Sequence, residues 1–434
     1  MKKITRRQLG YMAGAAGVAA VGTLTFGRAA IAQGSAKVVV VGGGAGGATV
    51  ANKIKAAAPN LDVTLVEANP AFTTCFFSNL YLGGLVSFDD ITHDYKNISD
   101  LGVKVVHDWA EDVDTAAKVV KLKGGTQLPY DRLVLSPGIE LKYDSVPGYS
   151  KEAAELMPHA WQAGAQTKLL KAKLEAMDDG GLVVLAAPPN PYRCPPGPYE
   201  RMCMIAHYLK TAKPKSKLIL FDPKTKFSKQ GAFMEGFKAH YADIIEVNLT
   251  DEIDSYALTR VDPKTGEIET ASGRKEKADV ANIVPAQRAG LIAHRAGCAE
   301  GDWCPTNPEN MSSTKVENVY VLGDASVATE MPKSAFSANS QAKVVAADIL
   351  AELAEKKKFP PRFRNTCWSA IAPKDGIKVG ANYTPGEKEG KPALVAKDSF
   401  VSKPGEPVGL REETFTESFG WYSGIVSDIF AKPA

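Results

Sequence analysis

The order of apolar and polar positions along the chain predicts alternating strands and helices. Residues 36–67 begin with the apolar run KVVVV, which is typical of a strand buried on both faces. A glycine-rich turn, a helical pattern and a second strand, VTLVE, follow it. Residues 181–222 repeat the order of strand, loop, helix and strand. Two such units in a chain of 434 residues predict an α/β protein of two or three domains.

The first turn has the spacing of a dinucleotide-binding site. Gly42, Gly44 and Gly47 fit the pattern G-x-G-x-x-G, which permits a tight turn, close approach of backbone N–H groups to a pyrophosphate and close helix packing. Glu67 ends the next strand, twenty residues after Gly47, where a carboxylate can accept hydrogen bonds from the ribose hydroxyls. This pattern leaves both NAD and FAD open as the ligand.

A later segment favours FAD. The short strand VYVLG runs into Gly323 and Asp324, and in flavoproteins with two dinucleotide-binding domains such a pair reaches the ribityl chain. A helix follows, with Ser337, Asn339 and Ser340 available to cap its N-terminus, where the helix dipole would stabilise a reduced flavin. The alternative for Asp324 is an ordinary carboxylate at the end of a strand.

The second unit lacks the glycine turn. Its loop reads PPNPYRCPPGPYER, and prolines have no N–H to offer a phosphate, so the loop is poorly suited to NAD(P)H. The loop carries Cys194, and Glu200 follows six residues later. A glutamate there either exchanges protons with a reacting group or is simply solvated.

Three cysteines are candidates for redox chemistry. Cys75 lies in a loop that passes beside the flavin in this architecture, and it is either a thioether link to the cofactor or a small buried thiol. A disulfide between Cys194 and Cys367 would join the second domain to the C-terminal one. Such a bond is either a structural staple or, if exposed and strained near an electron acceptor, a redox centre.

The N-terminal residues have the features of an export signal. Four basic residues, including an arginine pair at positions 6 and 7, precede an apolar run and the small-residue site AIA at 30–32. We expect a twin-arginine signal peptide, with an uncleaved anchor as the alternative, and a periplasmic protein with no integral membrane segment in the mature chain. The signal holds five of the 52 basic residues and none of the 49 acidic ones. The remainder is slightly acidic and shows no basic patch, so nucleic acid is not expected as a partner.

Short stretches spread over nearly the whole mature chain resemble the flavoprotein subunits of flavocytochrome c sulfide dehydrogenase. The most specific are YRCPPGPYER and MPKSAFSANSQ, together with VVVVGGGAGGAT, TTCFFSN and NTCWSAIAP. The resemblance implies a glutathione-reductase-like α/β fold with two dinucleotide-binding domains, the second without an NAD site, and a C-terminal interface domain. The expected division is a signal peptide at 1–32, an FAD-binding domain at 33–155, a degenerate NAD-like domain at 156–305, a return segment of the FAD-binding domain at 306–355, and a flavin-capping domain at 356–434.

The same resemblance implies the chemistry of the site. FAD is expected to be attached through its 8α-methyl group to Cys75, beside a redox disulfide between Cys194 and Cys367, with Glu200 as acid or base. A c-type cytochrome subunit with one or two haems is expected to receive the electrons in a heterodimer. Because this chain has no C-x-x-C-H, the haem belongs to that partner.

The resemblance also places aromatic side chains, Trp421 and Tyr422, on the approach to the flavin. It leaves Cys203, Cys298 and Cys304 without roles; the last two could pair, and Cys203 is expected to be a buried thiol. No cysteine or histidine spacing indicates a metal site.

These features predict an FAD-dependent sulfide:cytochrome c oxidoreductase that produces sulfur or polysulfide. One alternative is a flavoprotein of the Sox sulfur-oxidising system without a fixed cytochrome partner. A sulfide:quinone reductase is less favoured, because the C-terminal part has no clear amphipathic membrane helix. From another class, the chain could be a non-catalytic flavin electron-transfer module.

Overall fold

The structure is a computed structural model that describes residues 36–251 and 255–431. The predicted signal peptide at 1–32 lies outside the described residues. In chain order, the first elements are β1 (Lys37–Val41), α1 (Gly47–Ala57), β2 (Asp62–Val66), β3 (Ala71–Thr73), α2 (Ser78–Leu82), β4 (Thr92–Asp94), α3 (Lys96–Asp100), β5 (Lys104–Val106), β6 (Ala110–Asp114), β7 (Val119–Leu122), β8 (Gln127–Pro129) and β9 (Arg132–Leu135).

The central part of the chain carries the elements of the second unit and its connections. They are β10 (Ile139–Leu141), α4 (Ala165–Ala176), β11 (Leu182–Ala186), α5 (Gly197–Ala212), β12 (Lys217–Asp222), α6 (Gln230–Tyr241), β13 (Ile245–Leu249), β14 (Leu258–Asp262), β15 (Glu267–Thr270), β16 (Lys275–Lys277), β17 (Val280–Ile283), β18 (Gln287–Ala289) and α7 (Leu291–Arg295).

The last part of the chain returns to the first sheet and then forms a C-terminal unit. Its elements are β19 (Cys304–Pro305), β20 (Val319–Val321), β21 (Ser326–Val327), α8 (Ala335–Leu353), β22 (Phe363–Ala372), β23 (Asp375–Lys388), β24 (Lys391–Val401) and α9 (Val408–Phe430).

The first sheet has the strand order β20-β9-β1-β2-β5, and its strands are parallel. Strand β1 is central, so the four valines of KVVVV are buried, as the continuous apolar run predicts. The turn between β1 and α1 needs its glycines. A Cβ on Gly47 would lie 1.9 Å from the carbonyl oxygen of Gly42, and Gly42 itself has φ +100°. These glycines therefore bring the helix close to the strand and leave the backbone of the turn open to a ligand.

The second sheet is also parallel, in the order β13-β12-β11-β17. The proline loop leaves the carboxyl end of β11 and enters α5, which packs into the core of this unit. The loop thus occupies the place that a phosphate-binding turn has in the first unit. The predicted α/β architecture with two dinucleotide-type domains is confirmed.

The C-terminal unit is an antiparallel sheet, β22-β23-β24, followed by α9. Helix α9 is tied to the first domain at its end. Asn52 Nδ2 donates to the carbonyl oxygens of Ile429 and Ala431, and Asp428 pairs with Lys53 at 2.5 Å and with Lys343. Strand β22 packs against α8 of the first domain and α5 of the second, so the C-terminal unit contacts both domains. None of the described helices is long and apolar enough to cross a membrane.

Candidate active site

Two cavities meet between the first and second domains. A groove of about 770 Å³ runs along the glycine turn of the first domain. A much smaller pocket, of about 80 Å³, lies between the proline loop, the loop after β3 and the C-terminal sheet. We call them the groove and the inner pocket. Four residues line both cavities: Cys75, Phe76, Arg193 and Ala335. A ligand in the groove would therefore reach the wall of the inner pocket.

Most of the predicted cofactor-binding residues line the groove. They are Gly42, Gly44, Glu67, Cys75, Gly323 and Asp324. At one end the Glu67 carboxylate accepts a hydrogen bond of 2.8 Å from the N–H of Gly43. Gly47 does not line the groove and instead serves helix packing. The groove thus has a glycine turn and a carboxylate in the order that the sequence predicts.

Asp324 provides a test of whether the groove fits FAD. Its Oδ1 is buried and has no hydrogen-bond partner among the described residues, and its Oδ2 is 3.7 Å from the guanidinium of Arg193. Burial raises the pKa of Asp324, while the Arg193 and Lys333 cations oppose that rise. A buried carboxylate oxygen needs a donor, and a hydroxyl of the ribityl chain is a donor of the right kind. The groove therefore fits FAD.

The expectation for Asn339 is wrong. Asn339 Nδ2 donates to Thr49 Oγ1 and to Asp428 Oδ2, both at 2.9 Å, and its side chain is buried between helices away from the groove. Ser334 caps α8 instead, with its hydroxyl accepting from the N–H of Ser337. Successive residues of a helix are turned by about 100°, so Ala335 and Ala338 face the groove and the next residue does not.

The predicted catalytic residues Cys194, Cys367 and Glu200 all line the inner pocket. Cys194 has a left-handed backbone (φ 59°), and its N–H donates to the carbonyl oxygen of Lys333 at 2.8 Å. Helix α5 begins three residues later at Gly197, where a Cβ would lie 3.0 Å from the Cys194 sulfur. The loop therefore fixes the thiol at the start of α5, where only glycine leaves it room.

Cys367 reaches the same pocket from the middle of β22, where it pairs with Val379. Its sulfur accepts a hydrogen bond of 3.4 Å from Asn365 Nδ2. The structure records both sulfurs as free thiols, so the disulfide between Cys194 and Cys367 stays a prediction.

The leftover cysteines all lie in the core. Cys298 and Cys304 belong to one apolar cluster and are also free thiols, and Cys203 is fully buried on α5 as expected. No group in the part of the chain that the structure describes could hold a metal ion.

Glu200 is enclosed beside the two thiols. Its carboxylate accepts hydrogen bonds from Asn79 Nδ2 (2.8 Å) and from the N–H of Ala370 (2.9 Å). Burial raises its pKa, and the two hydrogen bonds and the Lys229 and Arg201 cations oppose that rise only in part. A buried carboxyl with a raised pKa is suited to exchange protons near neutral pH.

The raised pKa of Glu200 predicts a change in stability with pH. The protonated form is favoured in the folded state, so this contribution to stability is complete below about pH 4.3 and is lost as the pH rises through the raised pKa. In E200Q that loss is absent. We expect the thermal midpoint to decline less between pH 5 and 8 in E200Q than in wild type, measured by calorimetry. Parallel profiles would contradict the raised pKa.

Two cations beside the thiols were not predicted from the sequence. Arg193 lines the inner pocket together with Cys75 and Cys194. It opposes the rise in the pKa of Cys194 that burial and the neighbouring Cys367 and Glu200 cause. Its position next to Cys194 in the sequence is a signal that could have identified it. Lys229 lies just before α6 and donates to the carbonyl oxygen of Cys367. No sequence pattern marks that lysine.

Aromatic side chains close the remaining side of the inner pocket. Trp421 lines it and stacks on Trp368, with ring centroids 5.2 Å apart. Tyr422 stacks on Phe77 at 4.2 Å, and its hydroxyl is 3.0 Å from Thr74 Oγ1. The two predicted aromatics therefore tie α9 to the loop that carries Cys75.

A third cavity approaches the inner pocket from outside. This outer cavity, of about 680 Å³, lies between the proline loop and the β23–β24 hairpin. Tyr383, Phe400 and Lys403 contribute to its walls, and Cys367 and Pro196 line both it and the inner pocket. Cys367 is thus shared by the outer cavity and the inner pocket, whereas Cys194 lines only the inner pocket.

Three protein-family models match the chain. The pyridine nucleotide-disulphide oxidoreductase model covers residues 36–177. The model of the central part of the sulfide dehydrogenase [flavocytochrome c] flavoprotein chain covers 167–285, and the flavocytochrome c sulphide dehydrogenase flavin-binding model covers 359–430. The segment matched by the central model includes the proline loop, and the segment matched by the flavin-binding model includes Cys367.

Individual relatives are also flavoprotein chains of sulfide dehydrogenases or sulfide:quinone oxidoreductases. The sulfide dehydrogenase [flavocytochrome c] flavoprotein chain of Chlorobaculum thiosulfatiphilum is 54% identical over 46 residues, which is 96% of that sequence and 11% of this chain. A mitochondrial sulfide:quinone oxidoreductase of Dictyostelium discoideum is 24% identical, over 72% of this chain and 70% of its own. The solved sulfide:quinone oxidoreductase of Aquifex aeolicus superposes with a TM-score of 0.65 at 20% identity, over 92% of this chain and 96% of that one. The protein is an FAD-dependent sulfide oxidoreductase that belongs to the family of flavocytochrome c sulfide dehydrogenase flavoprotein chains.

Proposed function

We propose that this protein is a periplasmic subunit that oxidises sulfide to polysulfide at a redox disulfide between Cys194 and Cys367. In this proposal its FAD is covalently attached, and the electrons pass to a c-type cytochrome subunit in a heterodimer. One observation carries the proposal: both cysteines and Cys75 line a single small pocket, which adjoins the cofactor groove on one side and the outer cavity on the other.

The size of the inner pocket supports a small inorganic substrate. A volume of about 80 Å³ has room for a few water-sized molecules. Hydrosulfide fits such a volume, whereas an organic substrate of many heavy atoms does not. The pocket walls are largely apolar, with aromatic rings on one side, which suits a polarisable sulfur anion.

The first step follows from the different positions of the two cysteines: Cys367 lines both the outer cavity and the inner pocket, and Cys194 lines only the inner pocket. Hydrosulfide arriving through the outer cavity attacks the Cys367 sulfur, forms a persulfide on it and breaks the disulfide bond. The electron pair of the broken bond goes to the Cys194 sulfur, which leaves as a thiolate. Arg193 lies beside that thiolate and favours it electrostatically.

The second step returns the pair to its starting state. Another hydrosulfide attacks the terminal sulfur of the persulfide, releases hydrogen disulfide and leaves a thiolate on Cys367. Glu200 accepts a proton from the hydrogen disulfide, which leaves as an anion. The two thiolates then lose two electrons and re-form the disulfide. Bound FAD would supply the chemistry of accepting two electrons together and giving them up singly.

Residues of this chain are placed to hold that cofactor. The glycine turn and Glu67 would bind the pyrophosphate and ribose, and Asp324 would accept from the ribityl chain. Cys75 would carry the covalent link. Its position where the groove and the inner pocket meet supports that role, since the reactive ring must face the disulfide.

The electron acceptor is tested directly. Under anaerobic conditions, sulfide is added to the purified flavoprotein and the flavin absorbance is followed. We expect stoichiometric bleaching, then recovery on addition of a c-type cytochrome co-purified with the chain. Absence of bleaching would contradict sulfide oxidation at this site and indicate an electron-transfer module.

A quinone is the second candidate acceptor, because several relatives are sulfide:quinone oxidoreductases. A parallel titration with a soluble short-chain quinone separates the two. Recovery of absorbance with the quinone, and none with cytochrome c, would favour the quinone and contradict the cytochrome partner.

A further inference from the structure

Lys229 is a buried lysine that the proposed mechanism does not yet use. Only 6% of its surface is exposed. Its ammonium donates to the carbonyl oxygen of Cys367 at 3.0 Å and to the hydroxyl of Ser369 at 2.8 Å. Among the described residues it forms no ion pair with a carboxylate, unlike the buried Lys224, which pairs with Asp222 at 2.6 Å. A buried cation without such a partner is costly and calls for an explanation.

The groups that face Lys229 and Cys367 belong to several elements. Strand β22 contributes Cys367 itself and Asn365, and β23 contributes Tyr383. Other ionisable and polar groups come from the proline loop, α5 and the start of α8: Cys194, Cys203, Glu200 and Ser334. The neighbouring cations Arg193 and Arg201 act on Cys194 and Glu200, whereas Lys229 is the cation that acts on Cys367.

The electrostatics of the set depend on Lys229. Burial raises the pKa of the Cys367 thiol, and Lys229 is the strongest influence in the opposite direction, ahead of Asn365 and Ser334. Burial in turn lowers the pKa of Lys229 to about 8, against the influence of Cys367 and Glu200. Each charged form, thiolate and ammonium, therefore favours the other.

The same hydrogen bonds fix the strand that carries Cys367. Lys229 holds the carbonyl oxygen of Cys367, and Glu200 accepts from the N–H of Ala370 three residues later. Because Glu200 lies on the helix that begins at the proline loop, the two side chains hold β22 in register with the Cys194 segment. Lys229 thus sets both the position of the Cys367 sulfur and the charge beside it.

We propose that Lys229 is a positioning residue that stabilises the thiolate of Cys367, so that this sulfur is a good leaving group when sulfur passes to an acceptor. The inference rests on the proposed redox role of the cysteine pair. In that step the acceptor attacks the terminal sulfur of the Cys367 persulfide, the persulfide bond breaks, and its electron pair goes to the Cys367 sulfur. A thiol of lower pKa leaves faster.

The test measures the thiol itself rather than turnover. The reduced, flavin-loaded protein is alkylated with iodoacetamide over a range of pH, and the peptide that contains Cys367 is quantified by mass spectrometry. In K229Q, which is neutral but can still donate a hydrogen bond, we expect alkylation at pH 7 to be about tenfold slower, with the midpoint moved to higher pH. K229R, which keeps the charge, should react within about threefold of wild type.

Two further variants make the test decisive. K229M fills similar space without a charge and must show the same slowing of Cys367 alkylation as K229Q. If one of the two variants does not fold, the other still gives the measurement. The matched control is K171Q, because the amine of Lys171 also donates to a backbone carbonyl, that of Leu82, and lines none of the three cavities. K171Q should react as wild type does. Wild-type alkylation in K229Q and K229M would overturn the proposal.

The outcome is independent of the proposed function. If C194S keeps full sulfide oxidation while K229Q still shifts the alkylation profile, the disulfide mechanism fails and the assignment of Lys229 stands. If C194S is inactive and the profile does not shift, the mechanism stands and the role of Lys229 is refuted.

Discussion

Replacing either cysteine of the inner pocket with serine, in C194S or C367S, is expected to slow sulfide oxidation at least about 100-fold while FAD stays bound. A serine oxygen can neither form the disulfide that hydrosulfide attacks nor carry a persulfide. Because the two cysteines act as a unit, the double variant should be no slower than either single one. Anaerobic stopped-flow measurement of flavin bleaching by sulfide gives the rates.

The chain offers a matched control for that loss. Cys203 lies on α5, nine residues after Cys194, is fully buried and does not line the inner pocket. C203A should lose about 1–2 kcal/mol of unfolding free energy through the small cavity it leaves, and keep near wild-type turnover. Wild-type bleaching rates in C194S would instead mean that sulfide attacks the flavin directly, without the disulfide.

The parts of this site that were predictable from sequence are those fixed by local structure. The glycine turn, Glu67 and Asp324 each follow a strand of the first sheet at a set distance, and parallel strands place their carboxyl ends at one edge. The position of the proline loop could be predicted for the same reason, because the loop follows β11. In each case a residue type and its distance from a strand determine where the side chain lies.

The prediction for Asn339 was wrong because it depended on which face of α8 each residue occupies. Assigning Asn339 to the cofactor requires the N-cap to be known to the residue, because one position rotates a side chain by about 100°. The cap is Ser334, several residues earlier than the serines considered, and this puts Ala335 and Ala338 on the groove. Several serines within one turn leave the cap undetermined by sequence alone.

Lys229 could not be found because the contacts that bring it to Cys367 and Ser369 are non-local. It meets Cys367 across 138 residues of sequence, and no periodicity links a lysine before α6 to a strand of the C-terminal sheet. The role of the β23–β24 hairpin could not be predicted from the sequence either. No motif in the sequence marks it, yet Tyr383 and Phe400 form walls of the outer cavity, which Cys367 also lines. Long-range packing decides such contacts.

Replacing Cys75 with alanine is expected to remove the covalent attachment of FAD completely. Denaturing wild-type protein with acid should leave the flavin colour in the precipitate, whereas C75A should release all of it to the supernatant. Before denaturation C75A should still bind FAD, because the glycine turn, Glu67 and Asp324 remain in the groove. Absorbance of the two fractions at the flavin maximum measures the outcome.

The local structure around Cys75 explains why this sulfur is suited to the link. The carbonyl oxygen of Cys75 accepts from both the N–H and the hydroxyl of Ser78, at 3.3 and 2.6 Å, and the N–H of Thr74 donates to Ile91. The loop is therefore fixed on both sides of a thiol that lines the groove as well as the inner pocket. C304A is the control, since Cys304 is buried away from all three cavities and its loss should leave the colour in the precipitate. A coloured C75A precipitate would mean that another residue holds the flavin, and a colourless wild-type precipitate would mean that the groove holds it by non-covalent contacts alone.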